Sequence, residues 1–434
     1  MTGYYLALAF HSLRRNAVLT TLMVLTIGVG IAGLMTVLTV LHAMTRDPIP
    51  GRSARLFAVQ IDNWGPDTPQ EAGQQSQLSH ADAQALSQAH RGVRESPMYS
   101  VQLSVTPAAP DALPLSATGR AAQSDFFSMF DAPFQDGRPW SKAEDDARAD
   151  VVVLGSQLAN TLFPDARAVG ATVRLDEHDY RVVGVLKPWR FQPRVYDLTS
   201  RLYSETEQVF LPIGTAIDRQ LRSMGSIECK AGRPQAMAEL LTSECRWLQF
   251  WVELPNADAA NGYRQFLTAY ASEQQRLGRF QWPPKIALYN AREWQVMADM
   301  VPGELRISSI VALGFLMVCV VNAIALMLAR FSSRADELSI RRALGASRAH
   351  IVWQCLTEAS VVGVAGGVVG LGLTALGVAL ERTILREDYV QLASLDVQIV
   401  IMTLALAVIA TICSGIYPAW GAGRVQSVLQ LKSQ

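Results

Sequence analysis

Asn16-Ala-Val-Leu-Thr-Thr-Leu-Met-Val-Leu-Thr-Ile-Gly-Val-Gly-Ile-Ala-Gly-Leu-Met-Thr-Val-Leu-Thr-Val-Leu-His-Ala-Met-Thr45 runs thirty residues without an Asp, Glu, Lys or Arg. Three more such runs follow: twenty-three residues over 307–329, twenty-two over 359–380 and twenty-seven over 397–423. A hydrocarbon core about 30 Å thick is crossed by roughly 20 apolar residues in a helix. Each run is long enough. Inside lipid the backbone N–H and C=O groups must bond within their own segment, so the runs read as helices. The first is far longer than the roughly 7–15 apolar residues of a cleaved signal, so it reads as an anchor that stays. The fold class follows: a membrane α-helical protein with four transmembrane helices, arranged one plus three.

The flanks of the runs set the expected orientation. Arg14 and Arg15 precede the first, and Arg330, Arg334, Arg341, Arg342 and Arg348 follow the second, against Asp336 and Glu337. The 381–396 segment is the acidic one, with Glu381, Glu387, Asp388 and Asp396. The positive-inside rule then puts both termini and the 330–350 loop in the cytoplasm. Residues 1–45 form an N-terminal segment with helix one, 46–306 a large domain outside the cytoplasm, and 307–434 a three-helix membrane domain with helices at about 307–329, 359–380 and 397–420. Of all 434 residues, 38 are basic and 38 acidic, a formal net charge of zero. A nucleic-acid binder needs a cationic excess, so that class is excluded.

Within 46–306, strand and helix signals alternate. Leu56–Ile61, Asp150–Leu154, Gln208–Pro212, Ser226–Lys230, Trp247–Glu253 and Lys285–Tyr289 read as strands. Ala171–Leu175 and Tyr180–Leu186 read as a hairpin around a polar turn. Ser79, with Asp82 three residues on, predicts a capped helix start. The domain is therefore α+β. Its two cysteines, Cys229 and Cys245, can bridge outside the cytoplasm, closing a loop of about fifteen residues, or stay as buried thiols. His80, His90 and His178 lack any H-E-x-x-H or Cys-x-x-Cys partner spacing, and no G-x-S-x-G elbow occurs. No catalytic residue, metal site or bound cofactor is expected.

Asn322 is the most polar side chain of the second run; an amide in lipid either glues helices or makes a switchable contact. Gly363, Gly366, Gly367 and Gly370 form two overlapping G-x-x-x-G spacings, which permit close backbone approach within the chain or across a dimer face. In the basic loop, Glu337 and Arg341 stand in the favourable i,i+4 order. Gly345 can end that short helix and Ser347 can cap the next.

Two stretches carry a family likeness. The first is Ser124-Asp-Phe-Phe-Ser-Met-Phe130, Asp136-Gly-Arg-Pro-Trp140, Val151-Val-Val-Leu154, Leu162-Phe-Pro164 and Tyr180-Arg-Val-Val-Gly-Val185. The second is Arg334-Ala-Asp-Glu-Leu-Ser-Ile-Arg-Arg-Ala-Leu-Gly-Ala-Ser-Arg348, with Glu358, a glycine-rich helix and Gly415-Ile-Tyr-Pro-Ala-Trp420 after it. In order and spacing they resemble the MacB/FtsX-like ABC transporter permeases, with a periplasmic core domain and an FtsX-like permease domain. The resemblance implies a dimer of permeases, as a homodimer or with a paralogue, working with an ABC ATPase. It makes 333–344 a coupling helix, with Leu338 and Leu344 as apolar anchors and Arg341 and Arg342 as charged contacts to the ATPase. No G-x-x-x-x-G-K-[ST] loop occurs in the sequence, so ATP and Mg²⁺ are expected on a separate ATPase subunit. Members of the family transmit motion to the periplasm. The implied work is efflux of a drug, peptide or lipid-linked molecule, with a periplasmic adaptor and an outer-membrane channel as further partners. A signalling transmitter or a lipoprotein-release permease is the alternative.

Overall fold

The computed structural model describes residues 16–65, 77–107, 113–189, 194–197, 206–230, 232–297, 303–333, 340, 347–384 and 397–424. The chain divides into two compact units, Arg46–Met300 and the remainder on either side of it.

The first unit holds four long helices: α1 (Ala17–Thr45), and, after the intervening domain, α10 (Gly303–Ser332), α11 (Arg348–Ile384) and α12 (Val397–Arg424). All four are long and apolar enough to cross a membrane. α10 and α11 overrun the uncharged stretches that announce them at both ends, because a helix does not stop at the first charge once its backbone is bonded. Their hydroxyls are satisfied locally. Thr36, Thr39, Thr374, Thr403 and Thr411 each donate to the carbonyl four residues earlier, at 2.6–2.8 Å, as a polar group without water must. Ile27, Ile31, Leu316, Ala323, Ile399 and Ala407 form one apolar cluster. Met23, Met327, Ile351, Cys355, Ala359 and Val362 form another, at the end that carries the 330–347 segment.

The second unit is α+β. Its strands are β1 (Leu56–Asp62), β2 (Arg94–Thr106), β3 (Leu115–Ala122), β4 (Phe134–Gly137), β5 (Val151–Leu154), β6 (Thr172–Leu175), β7 (His178–Leu186), β8 (Val209–Pro212), β9 (Gln249–Glu253) and β10 (Lys285–Asn290). Its helices are α2 (His80–Ala89), α3 (Asp125–Met129), α4 (Lys142–Asp146), α5 (Ser156–Leu162), α6 (Ile213–Asp218), α7 (Met237–Thr242), α8 (Ala257–Arg276) and α9 (Ala291–Met297). The strands run in the order β10-β1-β9-β2-β3-β8-β5-β7-β4, and β6 bridges β2 and β7. The pairings β2–β3–β8–β5–β7–β6–β2 thus close a ring of strands. Most pairs are antiparallel; β3–β8 and β5–β7 are parallel.

Both faces of the sheet are covered. On β1, Phe57, Val59 and Ile61 enter one core and Leu56 and Ala58 the other, the period of two that a strand imposes. Ser79 caps α2 by accepting from the Asp82 amide. The hairpin β6–β7 turns at Asp176–Glu177, with Asp176 at φ 50, a left-handed conformation that Asp tolerates. One expected strand differs: 226–230 contributes only the isolated bridge Glu228↔Arg246. Beside it Cys229 and Cys245 are joined as a disulfide, Cα atoms 4.4 Å apart. A single bridge plus a covalent link replaces a ladder there.

Candidate functional site

The segment between α10 and α11 carries the residues expected to meet an ATPase. Glu337, Leu338, Arg341, Arg342, Leu344 and Gly345 lie outside the described residues. Ser347 is described: it is exposed, and its Oγ accepts from the His350 amide at 3.3 Å, an N-cap on α11. The two ends of the segment are therefore fixed by the helices that flank it.

Those helices are tied together in the interior. Arg330, on the last turn of α10, lies 3.3 Å from the Glu358 carboxylate on α11, and the two side chains are 2% and 4% exposed. Gln354, one turn before Glu358, donates to its other oxygen at 3.5 Å. Arg330 also donates to Thr20 Oγ1 on α1, at 3.5 Å. Ionisable groups within membrane helices face the bundle and pair, because an unpaired charge in hydrocarbon is costly. Met327, Cys355 and Ala359, among the apolar neighbours, are buried on the same stretch of the bundle. One guanidinium thus joins three helices across the base of the 331–347 segment.

The glycines of α11 sort by neighbour. A Cβ on Gly363 would overlap Thr411 Oγ1, and one on Gly367 would come within 3.0 Å of Ala407 Cβ, both on α12. One on Gly366 would lie 3.0 Å from Ile27 Cγ2, and one on Gly370 3.2 Å from the Gly28 carbonyl, both on α1. One spacing seats α11 on α12 and the other seats it on α1, inside a single chain. Asn322 is placed differently. It faces out of the bundle, and its side chain makes no hydrogen bond to a described residue.

The second unit has its own buried charge cluster. Arg120, on β3, is fully buried between Asp197 and Glu207. Arg194 meets Glu207 at 3.1 Å, Tyr196 donates to Glu207 at 2.9 Å, and Gln249 donates to Asp197 at 2.9 Å. Burial alone would lower the Arg120 pKa; Asp197 and Glu207 more than reverse that, so the net direction is up. Two guanidiniums balance two carboxylates. The Tyr196 ring lies 4.7 Å below the Arg120 guanidinium. The partners named here are side chains of the core, which makes this a pin for the fold. Among the described residues no group of three or more His, Cys, Asp or Glu could hold a metal ion.

The model of the MacB-like periplasmic core domain matches residues 20–261, and that of the FtsX-like permease C-terminal domain matches 309–426. The chain belongs to the MacB/FtsX-like ABC permease family. As a member it is a multi-pass inner-membrane protein with a periplasmic-type α+β domain between its first and second membrane helices. It is 25% identical over 440 residues to the macrolide export ATP-binding/permease protein MacB of Azoarcus sp. (strain BH72), covering 98% of this chain and 59% of that one. Against MacB of Salmonella paratyphi A the figure is 23% over 374 residues, 85% of this chain and 52% of the relative. The chain spans about half the length of the curated relatives it matches. Of solved structures, the periplasmic region of MacB from Actinobacillus actinomycetemcomitans aligns at 15% identity and a TM-score of 0.38, covering 58% of this chain and 96% of that one. The extracellular domain of the noncanonic ABC-type transporter YknZ from Gram-positive bacteria aligns at 11% and 0.34, covering 53% and 99%.

Of the features that carry this site, the sequence announced the glycines and the cap of Ser347. It did not announce the Arg330–Glu358 pair. Both residues merely bound uncharged runs, and only the packing of α10 on α11 brings them together.

Proposed function

We propose that this chain is the permease part of an ABC export system, and that it carries ATP-driven motion from an ATPase to its periplasmic domain. The observation that carries the reading is the buried Arg330–Glu358 pair. A push on 331–347 acts on both helices that the pair holds. Because parting two desolvated charges costs about 3–5 kcal/mol, α10 and α11 respond as one body. Thr20 brings α1 into the same body. In the chain α1 leads into the periplasmic domain and α10 leads out of it, so the body that is pushed is the one covalently joined to that domain at both ends.

Both termini and 331–347 are on the cytoplasmic side in this account, as the arginines around them require. Leu338, Leu344, Arg341 and Arg342 dock on the ATPase, which holds ATP and Mg²⁺ on a partner chain. Relatives carry the name macrolide export protein, and the work assigned here is efflux of a drug, peptide or lipid-linked molecule, with an adaptor and an outer-membrane channel completing the path. The test is ATP hydrolysis in proteoliposomes. Turnover should require the partner ATPase and be altered by this chain. Hydrolysis by this chain alone would contradict the assignment.

A further inference from the structure

A cavity of about 260 Å³ lies in the second unit between two segments of chain. One wall is 222–227. It is held by the bridge from Ser223 to Val101 of β2, and by the Met224 amide, which donates to the Ser100 carbonyl at 2.9 Å. The other wall is 233–240, the approach to α7 and most of that helix. This second wall falls wholly within the loop that the Cys229–Cys245 disulfide closes, so a covalent link restrains it.

The lining divides by character. Ile227, Met237 and Leu240 form its apolar part, and the last two are buried in the domain core. Arg222 and Arg233 are exposed and come from different walls. Nearby arginines meet acids: Arg219 is 2.7 Å from Asp150, and Arg246 is 3.0 Å from Glu228. Arg222 and Arg233 have no acid partner among the described residues, and no Asp or Glu lines the cavity. Glu239, on the same stretch as the second wall, instead accepts from the Gln235 amide at 3.4 Å. Ser223 also lines the cavity. It is 6% exposed, and its buried Oγ has no hydrogen-bond partner. A buried hydroxyl left unmet is costly, and a native structure that keeps one calls for an explanation. Two unpaired cations and an unmet hydroxyl around one small space suit an anion with acceptor oxygens. The apolar part of the lining suits carbon attached to that anion.

We propose that this cavity binds a small carboxylate carried on a short branched apolar stem. The carboxylate oxygens accept from the Arg222 and Arg233 guanidiniums, as charge-assisted hydrogen bonds, and from the Ser223 hydroxyl. The stem lies on Ile227, Met237 and Leu240, where burial takes it out of water. A space just under the usual range for drug-sized ligands holds a molecule of amino-acid size. The site is independent of how the membrane bundle is driven.

The test is titration of N-acetyl-leucine against the full-length protein in nanodiscs, read by saturation-transfer NMR on the ligand. N-acetyl-leucinamide, with the same stem and no charge, is the control. The acid should bind saturably and the amide should not. Arg222→Gln and Arg233→Gln should each weaken binding about tenfold, and Ser223→Ala about threefold. Both arginines are exposed, so their variants keep the fold. Arg276→Gln, exposed on α8 and outside the lining, should bind as wild type does. No saturable binding of the acid, equal binding of acid and amide, or wild-type binding by both Arg222→Gln and Arg233→Gln would each overturn the proposal. So would an equal loss in Arg276→Gln, which would reduce the effect to the net charge of the domain.

Discussion

Arg330 and Glu358, twenty-eight positions apart, meet at 3.3 Å in the interior of the membrane bundle, on the two helices that bracket the basic loop. A buried pair is weak evidence for stability but strong evidence about cost, because removing one partner strands the other.

Arg330→Met should therefore destabilise the bundle by about 3–5 kcal/mol, and Glu358→Gln by less, since an amide can still accept from the guanidinium. The double variant Arg330→Met/Glu358→Met should recover much of the loss. Thermal unfolding in detergent reads the cycle. Additive single effects would mean the two side chains do not interact.

Gly363→Ala should loosen α11 on α12, because its Cβ would overlap Thr411 Oγ1. Gly372→Ala meets nothing within 4 Å and should be neutral, or stabilising by up to about 1 kcal/mol from helix propensity. Equal melting temperatures for the two variants would show that the close approach is absent.

The disulfide closes a loop with Cys229 and Cys245 sixteen positions apart. Cys229→Ser/Cys245→Ser should cost about 3 kcal/mol in the chain-entropy account. Peptide mapping without reductant should recover the pair linked. Two alkylated thiols there would refute the bridge.

Burial raises the pKa of Glu95 above the usual carboxylate value, against the pull of the Gly92 amide that donates to it at 2.7 Å. A raised folded pKa means the native state holds its proton more tightly than the unfolded chain. The stability this lends is complete below the unfolded value of about 4.3 and is lost as pH rises through the folded one. Glu95→Gln should raise the melting temperature relative to wild type at pH 7 and lose that advantage near pH 4. Glu144 runs the other way: its hydrogen bond from Arg138 holds it down to about 2, so its contribution persists at pH 5 and fades only toward that value.

Much of the architecture was legible because hydrocarbon and pleat impose strong patterns. Four uncharged runs mark four helices, and the apolar Tyr180–Leu186 stretch falls within β7. The longest strand, β2, was missed. It carries Pro97 and a charged start, Arg94-Glu95, signals that argue against a central strand. It is central all the same, with Pro97 opposite Phe250 of β9. β3 reads Leu-Ser-Ala-Thr-Gly-Arg-Ala-Ala, poor in strand formers, and its Arg120 is tolerable only because Asp197 and Glu207 arrive from elsewhere in the chain. Long-range charge pairing leaves no local trace, which is why the Arg120 and Arg330 pairings escaped a reading by period and propensity.

The central claim is that 331–347 is where an ATPase takes hold. A photo-cross-linking amino acid at Leu338, in the full-length protein in its membrane, tests it most directly. The account predicts a cross-link to an ATP-binding subunit that changes in yield when ATP is added. A cross-link to proteins of the periplasmic side would contradict it.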